Sequence, residues 1–155
     1  MTDKMVLYRE LLQQAQGLFA DERDAIANGA NLSALLWHGL PDLNWAGFYF
    51  LKNGALVLGP FQGKPACVRL APGKGVCGAA VAALRTVVVP DVHEFPGHIA
   101  CDAASNSEIV VPLVKDGTVL GVLDLDSPLL ARFDADDAHG LESLAQAWVA
   151  ASDLL

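Results

Sequence analysis

Apolar side chains recur at positions 5, 8, 11, 12, 15, 18 and 19, and this helical period predicts an amphipathic helix over Met5–Phe19. Asp21 is the expected N-cap of a second helix running toward His38, with Leu32, Leu35, Leu36 and Leu40 inward and Pro41-Asp42 as its stop. His38 reads as a capping or surface histidine. From Asn44 the period falls to two. Trp45, Gly47, Tyr49 and Leu51 share one face of a strand, and Ala46, Phe48 and Phe50 share the other. Asn53-Gly54 signals a type I′ hairpin, with Ala55–Phe61 returning as the second strand. After the Gly63-Lys64-Pro65 turn, a short strand over Ala66–Leu70 carries Cys67. Pro72-Gly73-Lys74-Gly75 breaks the chain before a helix over Val76–Leu84, and a buried strand follows at Thr86–Pro90. A hairpin of Glu108–Lys115 and Thr118–Asp126 precedes a C-terminal helix that opens at Phe133-Asp134-Ala135-Asp136-Asp137, its acidic first turn suited to the helix dipole. Leu141, Leu144, Ala145 and Trp148 form the apolar stripe of that helix, facing core or a second subunit. The order predicts an α+β fold over residues 1–155, one domain with a central, mostly antiparallel sheet of about six strands flanked by N-terminal and C-terminal helices.

Neither period extends through residues 91–108. Unstructured connections of this length are uncommon in compact domains and are usually functional or disordered. Phe95, Ile99, Ala100 and Cys101 favour burial and argue for an ordered loop covering a ligand, with Cys101 presented from it. On pattern alone, Trp45 and Tyr49 are either plain core or an aromatic wall with room for a ligand beside Gly47.

Composition narrows the function classes. Hydrophobic residues make up 53% of the 155 and charged residues 18%, as in a globular chain. A net charge of −8 argues against nucleic acid or an anionic membrane as partner, since both need a basic footprint. No stretch reaches the roughly 18 apolar residues of a membrane span. The N-terminus, with Asp3, Lys4, Arg9 and Glu10, lacks a secretory core, so the expected location is the cytoplasm. In that reducing compartment Cys67, Cys77 and Cys101 are not a structural disulfide framework, and without a CxxC pair their spacing gives little support for structural zinc. They are either buried inert thiols or redox and nucleophilic groups. Judged locally, Cys77 is the most acidified of the three, because the dipole of the Val76–Leu84 helix lowers a thiol pKa in its first turn. The glycines around Lys74 lack the G-x4-G-K-[ST] spacing of a phosphate loop.

The hairpin around Asp116-Gly117 decides where the acids go. A three-residue loop, Lys115-Asp116-Gly117, sets Val114 opposite Thr118 and Glu108 opposite Asp124, with Asp126 on the same face. A two-residue loop sends Glu108 to the other face. The first register predicts Glu108, Asp124 and Asp126 together at one end of an otherwise apolar sheet. Crowded carboxylates raise one another's pKa, so the trio suits a substrate ammonium with one carboxyl kept as an acid. The alternative is a solvated sheet end.

Several segments carry a resemblance: N-W-A-G-F-Y at 44–49, G-P-F-Q-G-K-P-A-C at 59–67, G-K-G-V-C-G at 73–78, D-V-H at 91–93, G-H-I-A-C-D-A-A-S-N-S-E-I-V at 97–110 and G-V-L-D-L-D-S at 121–127. Together they resemble the GAF domain and, more narrowly, the free methionine-(R)-sulfoxide reductases, over nearly the whole chain and including all three cysteines. The resemblance implies a GAF-like fold and reduction of free methionine-R-sulfoxide to methionine through a cysteine sulfenic acid and an intramolecular disulfide. It implies no cofactor and no metal. Cys101 is then the nucleophile, Cys67 the resolving cysteine and Cys77 an auxiliary thiol. Trp45 and Tyr49 match pocket-wall positions, and Glu108, Asp124 and Asp126 match the substrate-binding carboxylates, with Glu108 the expected acid. Thioredoxin is the implied reductant and a homodimer the implied assembly. The competing expectations are a non-catalytic GAF sensor of a small ligand and a thiol redox sensor without substrate.

Overall fold

The computed structural model describes residues 1–98 and 101–153; Ile99 and Ala100, two of the apolar loop residues noted above, lie outside the described residues. The elements in chain order are α1 (Asp3–Phe19), α2 (Ala25–Gly39), β1 (Trp45–Lys52), β2 (Ala55–Gly63), β3 (Arg69–Leu70), α3 (Gly75–Ala83), β4 (Val87–Val89), a 3₁₀ turn (Val92–Glu94), β5 (Ser107–Lys115), β6 (Thr118–Ser127) and α4 (Ala135–Ala151). The six strands form one sheet in the order β3-β2-β1-β6-β5-β4, every neighbour antiparallel. This is the α+β architecture expected from the pattern. Among the described residues no helix is long and apolar enough to cross a membrane.

Period-two alternation splits the sheet into two different faces. Ala46, Phe48 and Phe50 of β1 join Ile109, Val111 and Leu113 of β5 and Leu123 and Leu125 of β6 in a core covered by α1, α2 and α4. The α4 stripe of Leu141, Leu144, Ala145 and Trp148 lies in this core. The opposite face carries Trp45, Tyr49, Val110 and Val122 under α3 and the buried Val92 of the connection before β5.

Several local expectations shift. Asp24, not Asp21, caps α2, its carboxylate accepting from the Ala27 backbone N–H at 2.8 Å. The strand expected over Ala66–Leu70 shrinks to Arg69–Leu70 and leaves Cys67 in irregular backbone, its carbonyl taken by the Tyr49 hydroxyl at 2.9 Å. The strand near Thr86–Pro90 is a three-residue edge strand with Val88 exposed, since only β5 pairs with it.

The decisive hairpin has a two-residue loop. Asp116 and Gly117 both have positive φ (51° and 78°), as a type I′ turn requires, and Lys115 faces Thr118. A register shift follows, with Val114 opposite Val119 but Leu113 opposite Gly121. This one-residue bulge at Leu120 restores the parity that the short turn removed. Glu108 therefore faces Asp126, and Val110 faces Asp124. The expected pairing of Glu108 with Asp124 is wrong by two residues, yet the shared face survives.

A buried ionic node ties α1 to α4. Asp137, fully buried, accepts from Tyr8 Oη at 2.7 Å, Lys4 Nζ at 2.7 Å, Arg132 Nη1 at 3.3 Å and the Asp134 backbone N–H at 2.9 Å. Removing one partner of such a group strands the others. Asp137→Ala is expected to lower the unfolding free energy by about 3 kcal/mol or more in urea titration; a loss below about 1 kcal/mol would mean that the node contributes little.

Candidate active site

The carboxylates stand in two cross-strand rows on the α3 face. Glu108 on β5, Asp126 on β6 and Trp45 on β1 are successive partners, and Val110, Asp124 and Gly47 form the next row. Glu108 and Asp124 are only 6% and 5% exposed and Asp126 is half-buried, so the trio is not a fully solvated sheet end. Burial, then the charges of Asp124 and Asp126, push the Glu108 carboxyl well above the usual range, and hydrogen bonds with both aspartates hold its proton. Burial and the Asp124 charge raise Asp126 as well. Asp124 is also raised by burial but only to about 6, because Glu108 and Cys77 hydrogen bond to it. Asp124 thus ionises before Glu108, which keeps its proton to higher pH. Among the described residues one Asp124 oxygen, Oδ1, is buried without a protein partner. Buried unpaired acceptors are rare in folded chains, so this oxygen is open to a donor brought by a ligand.

Cys77 occupies the first turn of α3, as expected, yet it is not the acidified thiol. Its Sγ lies 3.6 Å from Asp124 Oδ2. Complete burial, then the charges of Asp124, Glu108 and Asp126, push its pKa well up, which outweighs the helix dipole. Cys77 is a protonated donor to Asp124. Its sulfur and the oxygens of Glu108 and Asp124 lie within 4.8 Å of one another, a set able to hold a metal ion as well as an ammonium.

Cys67 and Cys101 are joined in a disulfide, their Cα atoms 5.6 Å apart. Cys101 lines the cavity above the carboxylates together with Trp45, Tyr49, Pro65, Ala66 and Lys74. Trp45 stacks on Tyr49 with ring centroids 5.7 Å apart and on Phe61 at 5.2 Å. The space beside Gly47 is not available to a ligand. A Cβ there would come within 2.3 Å of Phe61 Cβ, so the glycine serves the close approach of β2, and the cavity opens beside the aromatic rings instead. Among the described residues the Trp45 indole N–H, like Asp124 Oδ1, has no protein partner.

The connection between β4 and β5 is fastened at both ends. Val92 N donates to Asn106 O, Asn106 N to Ser127 O, and the Asn106 side-chain amide to Pro128 O. Pro96 and Gly97 (φ 77°) make the turn that His98 N closes onto Phe95 O, which gives Pro96 its role. Next to Cys101, Asp102 accepts from Ala104 N at 2.9 Å and from Asn44 Nδ2 at 3.0 Å, and Asn44 also donates to Ser105 Oγ. Asn44, His98, Asp102 and Ser105 were not singled out by sequence reasoning, since their contacts join distant segments. The N-W-A-G-F-Y and G-H-I-A-C-D-A-A-S-N-S runs held the only signal.

Residues 32–151 match the GAF domain. The chain is 54% identical over 142 residues to a protein of Escherichia coli named free methionine-R-sulfoxide reductase, covering 92% of this chain and 86% of that one. A Saccharomyces cerevisiae protein of the same name is 44% identical over 152 residues, covering 93% of this chain and 84% of that one. The crystallographic structure of free methionine-R-sulfoxide reductase from Neisseria meningitidis, in complex with its substrate, superposes with a TM-score of 0.93 at 49% identity, over 97% of this chain and 91% of that one.

Proposed function

The chain belongs to the free methionine-R-sulfoxide reductases, a family built on the GAF domain, and from that premise we propose that Cys101 and Cys67 reduce free L-methionine (R)-S-oxide to L-methionine. The observation that carries this reading is a Cys67–Cys101 disulfide on the cavity that holds Glu108, Asp124 and Asp126.

The Cys101 thiolate attacks the sulfoxide sulfur, Glu108 gives its proton to the sulfoxide oxygen, and that oxygen ends on Cys101 as a sulfenic acid. The electron pair stays with the methionine sulfur, and methionine leaves. Cys67 then displaces water from the sulfenic acid and forms the disulfide. A dithiol returns both cysteines to thiols by exchange, supplying two electrons and two protons. Asp124 and Asp126 take the substrate α-ammonium. A methionine within a peptide has no such ammonium, and leaving a buried carboxylate unpaired is costly, so the site favours the free amino acid. Trp45 and Tyr49 flank the S-methyl end. Cys77 is an auxiliary thiol that acts through Asp124. The same reading gives thioredoxin as the reductant, a cytoplasmic setting and a homodimeric assembly.

The direct test mixes the chain with dithiothreitol and separated R and S epimers of free methionine sulfoxide and measures methionine. Turnover of the R epimer alone is expected. Disulfide formation with peroxide but no turnover points to a redox sensor, and binding without either points to a ligand sensor. Cys67→Ser is expected to release about one methionine per subunit without reductant and to stop with a sulfenic acid on Cys101. Absence of that single turnover would give Cys67 a role before the disulfide step.

A further inference from the structure

Charge is distributed unevenly along the chain. Between Asp42 and Asp91 the chain carries Lys52, Lys64, Arg69, Lys74 and Arg85 and no Asp or Glu, within a protein of net charge −8. Cys67 sits in the middle of this acid-free stretch. Lys64, Pro65, Val68 and Arg69 around it are exposed, Val68 by 60%. Lys64 and Arg69 make no ion pair within 4.0 Å among the described residues. The nearby Asp102, beside Cys101, is the acid whose carboxyl feels the Lys64 charge. Neither Lys64 nor Arg69 lines the substrate cavity. The segment leads into β3 at the open edge of the sheet, so a macromolecule can approach it from outside. Cys101, by contrast, faces the cavity.

We propose that residues 64–69 are the docking surface for an acidic protein dithiol of the thioredoxin class, which attacks Cys67 rather than Cys101. This rests on the reductase reading above and names the partner surface of the same site. Pro65 and Val68 supply a small apolar rim for the flat surface around the partner's thiol, while Lys64 and Arg69 attract its acidic body. Charges of this kind act mainly on encounter rate, and salt screens them. In the exchange, the partner's thiolate forms a bond to Cys67 Sγ, the Cys67–Cys101 bond breaks, and Cys101 leaves as the thiolate needed for the next substrate. The partner's second thiol then displaces Cys67, which takes up that thiol's proton, and the partner leaves oxidised to its own disulfide.

The test compares two reductants on the intact chain: an acidic thioredoxin kept reduced by its reductase and NADPH, and dithiothreitol. Lys64→Glu with Arg69→Glu is expected to lower kcat/KM for thioredoxin about tenfold or more at low salt, with the deficit shrinking as salt rises. Turnover with dithiothreitol should be unchanged. The single variants, each at an exposed side chain, should give intermediate losses, and a thioredoxin lacking its second cysteine should be trapped on Cys67. An unchanged kcat/KM for thioredoxin, a loss shared equally with dithiothreitol, or trapping on Cys101 overturns the docking surface. Absence of sulfoxide turnover by the unaltered chain with dithiothreitol overturns the reductase reading instead.

Discussion

Cys101→Ser is expected to leave sulfoxide reduction undetectable, a fall of at least about 10⁴-fold in methionine released per subunit. A serine hydroxyl is nearly the size of a thiol but is scarcely ionised at neutral pH and attacks sulfur poorly. The carboxylate trio is untouched by the change, so the variant should still bind free methionine in a calorimetric titration. This pairing separates loss of chemistry from loss of fold. Cys77 offers no rescue, because its thiol is buried, protonated and directed at Asp124. Retained turnover in Cys101→Ser would move the nucleophile elsewhere and end the mechanism given above. Equal loss of methionine binding would make the residue a support for the cavity rather than its reacting group.

Apart from β3, the strands and helices were legible because each shows one period and one clear breaker. Trp45 and Tyr49 alternate against Phe48 and Phe50, and the sheet uses the two sets on opposite faces. The carboxylate trio was legible only as parity. Local turn chemistry at Asp116-Gly117 gave two loops with opposite consequences, and neither included the bulge at Leu120 that makes a two-residue turn compatible with a shared face. That bulge arises where β6 lies between two neighbours, a condition no short window contains. Cys77 shows the same limit in energetic form. Its helix position was read correctly and its acidity was not, because the carboxylates that outweigh the dipole lie on β5 and β6. The Tyr8–Asp137 contact and the Asn44–Asp102 contact join segments far apart in sequence and left no local mark. The Cys67–Cys101 pairing followed from the family resemblance alone, since any two of three cysteines satisfy the spacing.

Glu108→Gln is expected to slow the first step by about 10²- to 10⁴-fold, the usual range for removing a general acid, read as methionine formed in a single turnover at saturating substrate. Glutamine keeps the size of the side chain and can still donate a hydrogen bond, but it has no proton to transfer to the departing oxygen. Asp124 and Asp126 remain to hold the ammonium, so the affinity for free methionine should change far less than the rate. The pH profile adds a second readout. Burial and two neighbouring carboxylates raise the Glu108 pKa, so the reactive protonated form persists to higher pH than in a free carboxyl and is lost as pH rises through that raised value. The rate of the unaltered chain should therefore fall on the alkaline side, and this fall should vanish from the residual rate of Glu108→Gln. Asp124 is raised only to about 6, so the substrate affinity of the unaltered chain should weaken as pH drops through that value and the ammonium loses its partner. A rate in Glu108→Gln close to that of the unaltered chain, with the alkaline fall intact, would transfer the proton donor to Asp126, the half-buried carboxyl whose pKa is also raised.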